Sequence, residues 1–347
     1  MDITAFYKRF RKALAHKPRK STLRILREYI WVKLTKPSIA EQYFMKYLFR
    51  KDAGNIYEYL NTHQLNDKFW NINHPAYIPV MDCKHIFEAF FSQNQIPVAK
   101  TLAYSYGAFF FKDSKILLID SQPAFIDFIQ SLPTPKALFI KKNRESFGGK
   151  NIFKIAPEER SDADKMNTLF QHVRQSEYIY QEELMQHPDM NRLNPHCVNT
   201  VRFVTYTNKN HESKILASMV RTSLRDMYTD NVSSGGGSAR LDLEKGVLDE
   251  NLYTDFVKGP GIVYQKHPFT GITIKDFKIP YFQEAKEVAL KGATLIPNVT
   301  LAGWDIAIGA DGPVLIEVNK SPDLNFQEVG QKGFRKNPVY HELLMEH

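Results

Sequence analysis

Three oxygen-bearing side chains lie in two short apolar segments near the C-terminus. Alternation of apolar and polar residues predicts strands over residues 304–308 and 314–318, joined by an Ala-Asp-Gly-Pro turn. Glu317 and Asn319 are two residues apart and share one face of the second strand, where Asp305 of the first strand can join them. Two carboxylates and an amide oxygen suit Mg²⁺ that is held jointly with phosphate oxygens. The alternative is a polar, solvent-exposed face of an ordinary hairpin.

A second candidate set is cationic and rich in glycine. Within residues 137–155, a predicted buried strand ends in Lys141, a polar loop contains Gly148, Gly149 and Lys150, and another strand follows. Glycines let backbone N–H groups approach phosphate oxygens, and a lysine at the end of a strand adds charge. The segment lacks the Gly-Lys-Ser/Thr sequence and the following helix of a Walker A loop. An ordinary glycine-rich turn is the alternative.

Two arginines lie inside apolar segments that are predicted to be strands. Arg202 lies within residues 199–206 and Arg221 within residues 215–221, and a glycine-rich loop follows at 230–238. An arginine in an apolar strand is costly unless it is paired with an anion. Each arginine is therefore a candidate for contact with phosphate or for a structural salt bridge.

A predicted strand at residues 178–180 runs into a polar segment that resembles a hinge. Gln181 and Glu182 are followed by Leu184, so backbone groups there could meet the edge of a base and an acidic side chain could meet a ribose. Helices predicted over 82–94, 124–130 and 162–175 alternate with these strands.

Length and composition limit the class of protein. A chain of 347 residues can bury a sizeable core and suggests about two domains. Cys83 and Cys197 are far apart in sequence, which gives neither a disulfide framework nor metal-ligand spacing. No apolar run approaches the ~18 residues of a membrane span, and the N-terminus lacks the apolar core of a signal peptide. We expect a cytoplasmic protein.

The net charge of +8 is concentrated at the N-terminus. Residues 1–36 contain eleven Lys and Arg against Asp2 and Glu28, so the remaining residues are almost neutral. Ile3, Phe6, Phe10 and Leu14 recur at helical spacing among these charges. Such a helix can lie on an anionic membrane surface or pack with a solvated basic face. We therefore expect either packing or peripheral contact of residues 1–36 with the inner membrane surface, and no nucleic-acid binding, because no recognition motif accompanies the charge.

Taken in order, these segments resemble one superfamily. The chain is similar to the ATP-grasp ligases, and above all to the sugar-transfer-associated ATP-grasp proteins of bacterial surface-polysaccharide loci and to ligases of the α-L-glutamate type. The resemblance covers roughly residues 80–325 and rests on a series of motifs: Asp82-Cys83-Lys84, Phe139-Ile140-Lys141 with Gly148-Gly149-Lys150, Asn199-Thr200-Val201-Arg202, Arg221 with Asp230-Asn231, and Gly303-Trp304-Asp305 with Glu317-Val318-Asn319. It implies an ATP-grasp fold of two α+β subdomains that grip ATP.

The resemblance also implies domain bounds and residue roles. A basic, mostly helical region (1–75) precedes a lid subdomain (76–185) and a metal and substrate subdomain (186–347). By position, Lys84 and Lys141 hold the α- and β-phosphates, and the loop with Gly148, Gly149 and Lys150 closes over the triphosphate. The remaining roles are adenine and ribose binding (Gln181, Glu182, Leu184 and Asp189), binding of two Mg²⁺ or Mn²⁺ ions (Asp305, Glu317 and Asn319) and catalysis (Arg202, Arg221 and Asn231).

The reaction implied by the resemblance is ATP-dependent joining of a carboxylate to an amine through an acyl phosphate. The expected partners are small molecules: an amino acid or other carboxylate, and an amino sugar of a surface polysaccharide or its precursor, carried as a sugar nucleotide or a lipid-linked sugar. Two alternatives remain at this point. One is a peptide ligase, and the other is a non-catalytic membrane-surface binding protein with a degenerate nucleotide site.

Overall fold

The computed structural model describes residues 3–144, 151–228 and 230–347, without the side chain of Ser233. The α-helices are α1 (Ile3–Leu14), α2 (Thr22–Thr35), α3 (Pro37–Ala40), α4 (Thr62–Leu65), α5 (Ile78–Asp82), α6 (Lys84–Gln93), α7 (Gln122–Gln130), α8 (Ala163–Val173), α9 (Pro188–Asn191), α10 (Phe282–Leu295), α11 (Leu324–Gln331) and α12 (Pro338–Glu346). Short 3-10 helices lie at Ile56–Glu58, Asp67–Phe69, Pro75–Tyr77, Pro157–Ser161 and Val232–Ser234.

The strands form two sheets. Their bounds are β1 (Thr101–Tyr106), β2 (Phe109–Lys112), β3 (Lys115–Leu118), β4 (Leu138–Lys142), β5 (Ile152–Ile155), β6 (Glu177–Glu182), β7 (Thr200–Thr207), β8 (Ser213–Ser223), β9 (Gly236–Leu241), β10 (Leu248–Thr254), β11 (Val263–Tyr264), β12 (Leu301–Gly309) and β13 (Gly312–Asn319). One sheet has the order β3-β2-β1-β6-β4-β5, and the other has the order β11-β10-β9-β8-β7-β12-β13. The neighbours β1–β6, β4–β6, β7–β8 and β7–β12 pair antiparallel.

The chain divides into two compact units. The large unit contains Met1–Tyr77, Gln186–Pro313 and Val318–His347, and the small unit contains Ile78–Met185 and Val314–Glu317. The N-terminal residues, which the sequence sets apart as a region of their own, thus belong to the same compact unit as most of the C-terminal half. The assignment changes twice within β13, between Pro313 and Val314 and between Glu317 and Val318.

The N-terminal helices are held in the large unit by aromatic side chains. Phe6 of α1 contacts Tyr29 and Phe44, with ring centroids 4.6 and 5.7 Å apart. The same core cluster includes Phe256, which follows β10. The apolar face of α1 is therefore a packing surface, although Ile3 at its start stays 88% exposed.

Residues 37–70 contain fewer regular helices than their sequence suggests. After α3, turns occupy residues 41–49, and α4 is a single turn. Tyr47 has φ +54° and Gly54 has φ +76°, backbone conformations that interrupt a right-handed helix. Burial of the aromatic side chains, rather than helix propensity, decides the path of the chain here.

The strand β12 is buried along its whole length and carries different chemistry on its two faces. Trp304 points toward α10, and a Cβ at Gly292 of that helix would lie 2.5 Å from the indole. The indole Nε1 donates to Thr205 Oγ1 over 2.8 Å. Because side chains alternate along a strand, Asp305 faces the other side of the sheet, directly opposite Arg202 on β7.

The small unit has its own core between its sheet and two helices. Phe125 and Phe128 of α7 and Phe170 of α8 pack with Phe110 and Tyr180 of the sheet. This packing fixes the positions of β4 and β6, the strands that carry the predicted nucleotide-binding residues. None of the helices in the described ranges combines the length and hydropathy that crossing a bilayer requires.

Candidate active site

A buried cluster of two arginines and a carboxylate lies on one face of the large unit's sheet. Arg202 on β7 donates from Nε and Nη2 to the two carboxylate oxygens of Asp305 on β12, the latter bond measuring 2.5 Å. Arg221 on β8 places Nη2 2.9 Å from Asp305 Oδ2. Asn319 Nδ2 on β13 donates to the same oxygen over 3.4 Å. The side chain of Asp305 is 2% exposed. Side chains from β7, β8 and β13 therefore contact a buried carboxylate on β12.

The ionisation of Asp305 is set by these neighbours. Burial alone would raise the pKa of Asp305, but the charges of Arg202 and Arg221, with the hydrogen bonds from Arg202 and Asn319, hold that pKa below its ordinary value. The group is therefore a carboxylate at neutral pH. It is available as an anionic ligand once the arginines engage another anion.

Arg221 has a second set of partners. Its Nε and Nη2 donate to Thr200 Oγ1 over 3.2 and 3.1 Å, and they lie 3.4 Å from the carboxylate of Asp230. Thr200 in turn donates to Asp230. The two arginines thus face two carboxylates, and the cluster balances its own charge. The sequence predicts no role for Thr200 or Asp230. Asp230 nevertheless directly precedes Asn231 in one of the motifs on which the family resemblance rests.

The oxygen donors of the predicted metal site fit a hard divalent cation. Asp305 is ionised and Asn319 lies beside it, while Glu317 lies two residues before Asn319 on β13. Both oxygens of Asp305 accept N–H groups from arginine in this structure, so a cation binds there only when those N–H groups turn to another acceptor. Within the described ranges, no group of three or more His, Cys, Asp or Glu has the geometry to hold a metal. The metal assignment stays a prediction.

A pair of lysines faces Glu317 within the small unit. Burial and then the ammonium of Lys84 lower the pKa of Lys141 to about 8, while Glu317 opposes the shift. Burial also lowers the pKa of Lys84, opposed first by Glu317. Glu317 opposes the shift of both lysines and Asp82 also opposes that of Lys84, yet both pKa values stay below the ordinary value for lysine. A nearby anion such as phosphate would favour the charged form of both side chains.

Asn143 contacts the start of the helix that carries Lys84 and directly follows the strand that ends with Lys141 and Lys142. The sequence predicts no role for it. Its backbone C=O accepts from Lys84 N over 3.0 Å, and its side-chain Oδ1 accepts from His85 N over 3.0 Å, at the start of α6. Asn143 also follows β4, the strand that ends with Lys141 and Lys142. The buried amide Nδ2 donates to Glu177 Oε2 over 2.9 Å. A polar residue directly after a strand was the only signal for this role.

The predicted hinge lies at the end of β6, and part of it is already bonded internally. Glu182 accepts from Lys136 Nζ over 2.8 Å, which lowers the pKa of Glu182 below its usual value. Gln181 donates to Thr101 Oγ1 over 3.1 Å. In the part of the chain that the structure describes, the backbone of Leu184 has no hydrogen-bond partner. The N–H and C=O of Leu184 are therefore available for the predicted contact with a base edge, which stays a prediction.

Comparison with known protein families decides the identity of this fold. The family described as sugar-transfer associated ATP-grasp matches residues 64–340. The chain belongs to this family. The predicted recognition and the α+β ATP-grasp fold class are thereby confirmed. No curated protein matches the chain.

Solved ATP-grasp structures resemble the chain at low sequence identity. A carboxyaminoimidazole ribonucleotide synthase from Aspergillus clavatus complexed with ATP has 11% identity and a TM-score of 0.42, over 71% of this chain and 46% of its own. D-cycloserine synthetase DcsG has 14% identity and a TM-score of 0.45, over 78% and 73%. D-alanine–D-alanine ligase from Bacillus anthracis has 11% identity and a TM-score of 0.44, over 79% and 69%. The chain spans 45–46% of the length of the carboxyaminoimidazole ribonucleotide synthases it matches.

The other ATP-grasp residues predicted from the sequence fall in different places. Asp189, the ribose candidate, lies in α9 of the large unit, 53% exposed and 3.6 Å from Arg192. His187 Nδ1 accepts from Asp189 N over 3.1 Å and so caps α9. Both line a cavity of about 840 Å³. Asn231 accepts from Gly236 N through its backbone C=O over 3.0 Å, at the start of β9. The loop residues Gly148, Gly149 and Lys150 lie outside the described residues.

Proposed function

We propose that the protein is an ATP-dependent carboxylate–amine ligase that forms an amide through an acyl phosphate. The observation that carries the proposal is the pair Lys84 and Lys141, two ammonium groups of the small unit that both interact with Glu317 and whose pKa values burial lowers. Membership of the ATP-grasp family supports the ATP phosphates as the anion that this pair would bind. The second support is the cluster of Arg202, Arg221 and Asp305, which holds two cations and an ionised carboxylate in a buried position.

The proposed reaction has two steps. A carboxylate oxygen attacks the γ-phosphorus, the bond from phosphorus to the β-phosphate oxygen breaks, and ADP leaves. An amine nitrogen then attacks the acyl carbon, the carbon–oxygen bond to phosphate breaks, and inorganic phosphate leaves as the nitrogen loses a proton to solvent. The first step brings two anions together, so its barrier depends on the surrounding positive charge.

Each predicted residue has a task in this scheme that follows from its chemistry. Lys84 and Lys141 would bind the α- and β-phosphates, and Leu184 would present its backbone to the adenine edge. Arg202 and Arg221 would turn from Asp305 to the transferred phosphoryl group. Mg²⁺ or Mn²⁺, when bound, neutralises the β- and γ-phosphate charge, and the residues that would hold it are Asp305, Glu317 and Asn319. Asp189 would meet the ribose, and Asn231 would orient the carboxylate substrate.

The proposed substrates are an amino acid or other carboxylate and an amino sugar of a surface polysaccharide, carried as a sugar nucleotide or lipid-linked sugar. The family's description, sugar-transfer associated, supports a sugar as the acceptor. A peptide ligase is the second candidate within the same chemistry. A non-catalytic, membrane-surface binding protein is less well supported, because the two lysines and two arginines are all present. Peripheral contact of residues 1–36 with an inner membrane surface is compatible with either ligase.

The proposal is tested first by nucleotide binding and then by turnover. Mg-ATP should raise the unfolding temperature of the protein, and Glu317→Gln should reduce that shift, whereas Glu244→Gln at an exposed turn should not. ADP release is then screened with pools of amino acids and amino sugars, and with amino acids alone for the peptide-ligase alternative. A thermal shift that is absent in the native chain, or equal in the two variants, would contradict the ligase proposal.

A further inference from the structure

The helix α2 is apolar on two opposite faces. Ile25, Tyr29 and Val32, spaced by four and three residues, point inward and are at most 7% exposed. Leu23, Ile30 and Leu34, on the opposite stripe of the same helix, are 67%, 54% and 79% exposed. The inner stripe completes the aromatic core of the N-terminal region. The outer stripe is exposed in the described part of the chain, and its three apolar side chains share one face of the helix rather than being scattered.

The charges around this outer stripe have one sign. Arg27 lies within the stripe and is exposed, and the exposed Arg24 and Lys33 flank it on either side. The single acid of α2, Glu28, points inward and pairs with Lys20 over 2.7 Å and with Arg24 over 2.8 Å. Over residues 3–40 every charged side chain that is exposed is a lysine or an arginine. An apolar stripe among exposed lysine and arginine side chains is complementary to a surface that offers both apolar and anionic groups.

Aromatic side chains mark one edge of the stripe. Trp31 is 36% exposed and contacts Tyr57, with ring centroids 5.1 Å apart, and Tyr57 is itself 47% exposed. Lys36 Nζ lies 5.2 Å from the Tyr57 ring centroid. Tryptophan, tyrosine and lysine together are typical of the boundary between lipid headgroups and acyl chains.

We propose that the outer face of α2, defined by Leu23, Arg27, Ile30, Trp31 and Leu34, is a docking surface for an anionic lipid membrane. This names the face that makes the peripheral contact, and it does not depend on ligase activity. The fourteen residues of α2 span about 21 Å, enough to lie along a bilayer surface. A symmetric dimer through this face is disfavoured, because it would bring cationic surfaces against each other. The sequence left packing and membrane contact open for residues 1–36, and the apolar face of α1 is used for packing.

Vesicle binding by the full chain tests the proposal. The native protein should sediment with phosphatidylcholine vesicles that contain 30% phosphatidylglycerol and remain in the supernatant with phosphatidylcholine alone. Leu34→Glu should weaken binding at least tenfold, whereas Met345→Glu, an equally exposed apolar residue on α12, should leave it unchanged. Arg27→Ser should weaken binding about fivefold, the effect of one basic residue at an anionic surface. Fluorescence should shift to the blue on binding, and Trp31→Phe but not Trp70→Phe should abolish the shift.

Several results would overturn the proposal. These are the absence of binding to either vesicle, equal binding to neutral and anionic vesicles, and equal losses for Leu34→Glu and Met345→Glu. A further one is self-association of the native protein that Leu34→Glu abolishes, because the face would then be an interface between copies. Leu34→Glu should keep the native thermal shift with Mg-ATP. A failure of vesicle binding therefore leaves the ligase proposal standing, and a failure of nucleotide binding leaves the membrane proposal standing.

Discussion

The lysine pair of the small unit predicts that affinity for ATP declines between pH 7 and pH 9. Burial, followed by the charge of Lys84, gives Lys141 a pKa of about 8, below the ordinary value for lysine. A bound triphosphate favours the charged ammonium over the neutral amine. Affinity should therefore be nearly complete at pH 7 and should be lost as the pH rises through the pKa of free Lys141.

The size of the effect follows from the fraction of Lys141 that is charged. With a pKa of about 8, roughly 90% of the side chain is protonated at pH 7 and roughly 10% at pH 9. If binding requires the charged form, the apparent Kd rises about tenfold over this range, equivalent to about 1.4 kcal/mol. Burial lowers the pKa of Lys84 as well, so Lys84 adds to the decline rather than opposing it.

Calorimetric titration with a non-hydrolysable ATP analogue and Mg²⁺, at constant ionic strength, measures this dependence. At pH 8 binding should take up about half a proton per site, which two buffers of different ionisation enthalpy reveal. Lys141→Arg should flatten the profile, because arginine remains charged throughout. Lys154→Arg, on the neighbouring strand, should keep the native profile. A Kd that changes less than twofold, or an equal decline in Lys141→Arg, would refute the reasoning.

Three further predictions concern the stability of the large unit, measured by urea unfolding. Asp305→Asn should lower the free energy of unfolding by about 3 kcal/mol, because two arginines lose a buried partner, whereas the exposed Asp311→Asn should change it by less than about 0.5 kcal/mol. Lys46→Met should cost about 3 kcal/mol by leaving the buried Glu328 unpaired, and adding Glu328→Gln should recover part of the loss, since glutamine still accepts from two backbone amides. Gly292→Ala should destabilise by about 1–3 kcal/mol despite alanine's higher helix propensity, because its Cβ would meet a buried indole. Equal stabilities of Asp305→Asn and Asp311→Asn would contradict the first prediction. No recovery of stability in the Lys46→Met, Glu328→Gln double variant would contradict the second, and a Gly292→Ala variant more stable than the native protein would contradict the third.

The strands that carry the site were predictable because their patterns are local. Alternation and apolar runs predict β7, β8, β12 and β13 to within a few residues of the observed bounds. Helix α6 lies inside the predicted range of 82–94, and α8 lies inside the predicted range of 162–175. The family resemblance adds the order of these elements, which the match over residues 64–340 confirms.

The pairing of side chains was not predictable, since it depends on strand register and sheet order. The sequence predicts that Asp305 can join Asn319 of β13, and the two side chains do form a hydrogen bond. It does not predict that Arg202 and Arg221 also donate to the carboxylate of Asp305. Register places Asp305 directly opposite Arg202, and no local pattern encodes that alignment. The exposed apolar stripe of α2 is not predictable for a related reason. Both stripes have the residue spacing of a buried helix face, and only the structure shows which of them is buried.

Under the proposed function, the arrangement around Asp305 predicts that metal and nucleotide bind cooperatively. Arg202 and Arg221 occupy the carboxylate in this structure, so Mg²⁺ alone would have to displace two buried cations and should bind weakly. ATP alone would draw the arginines away and leave Asp305 without a partner beside phosphate charges, which would also be unfavourable. With both present, phosphate would accept from the arginines, and Asp305 would be among the residues that hold the metal. Thermal unfolding should therefore shift far more with Mg²⁺ and ATP together than the sum of the shifts with each alone. Additive shifts in the unfolding temperature, or a full shift with Mg²⁺ alone, would show that the arginines do not compete with the metal for the Asp305 carboxylate.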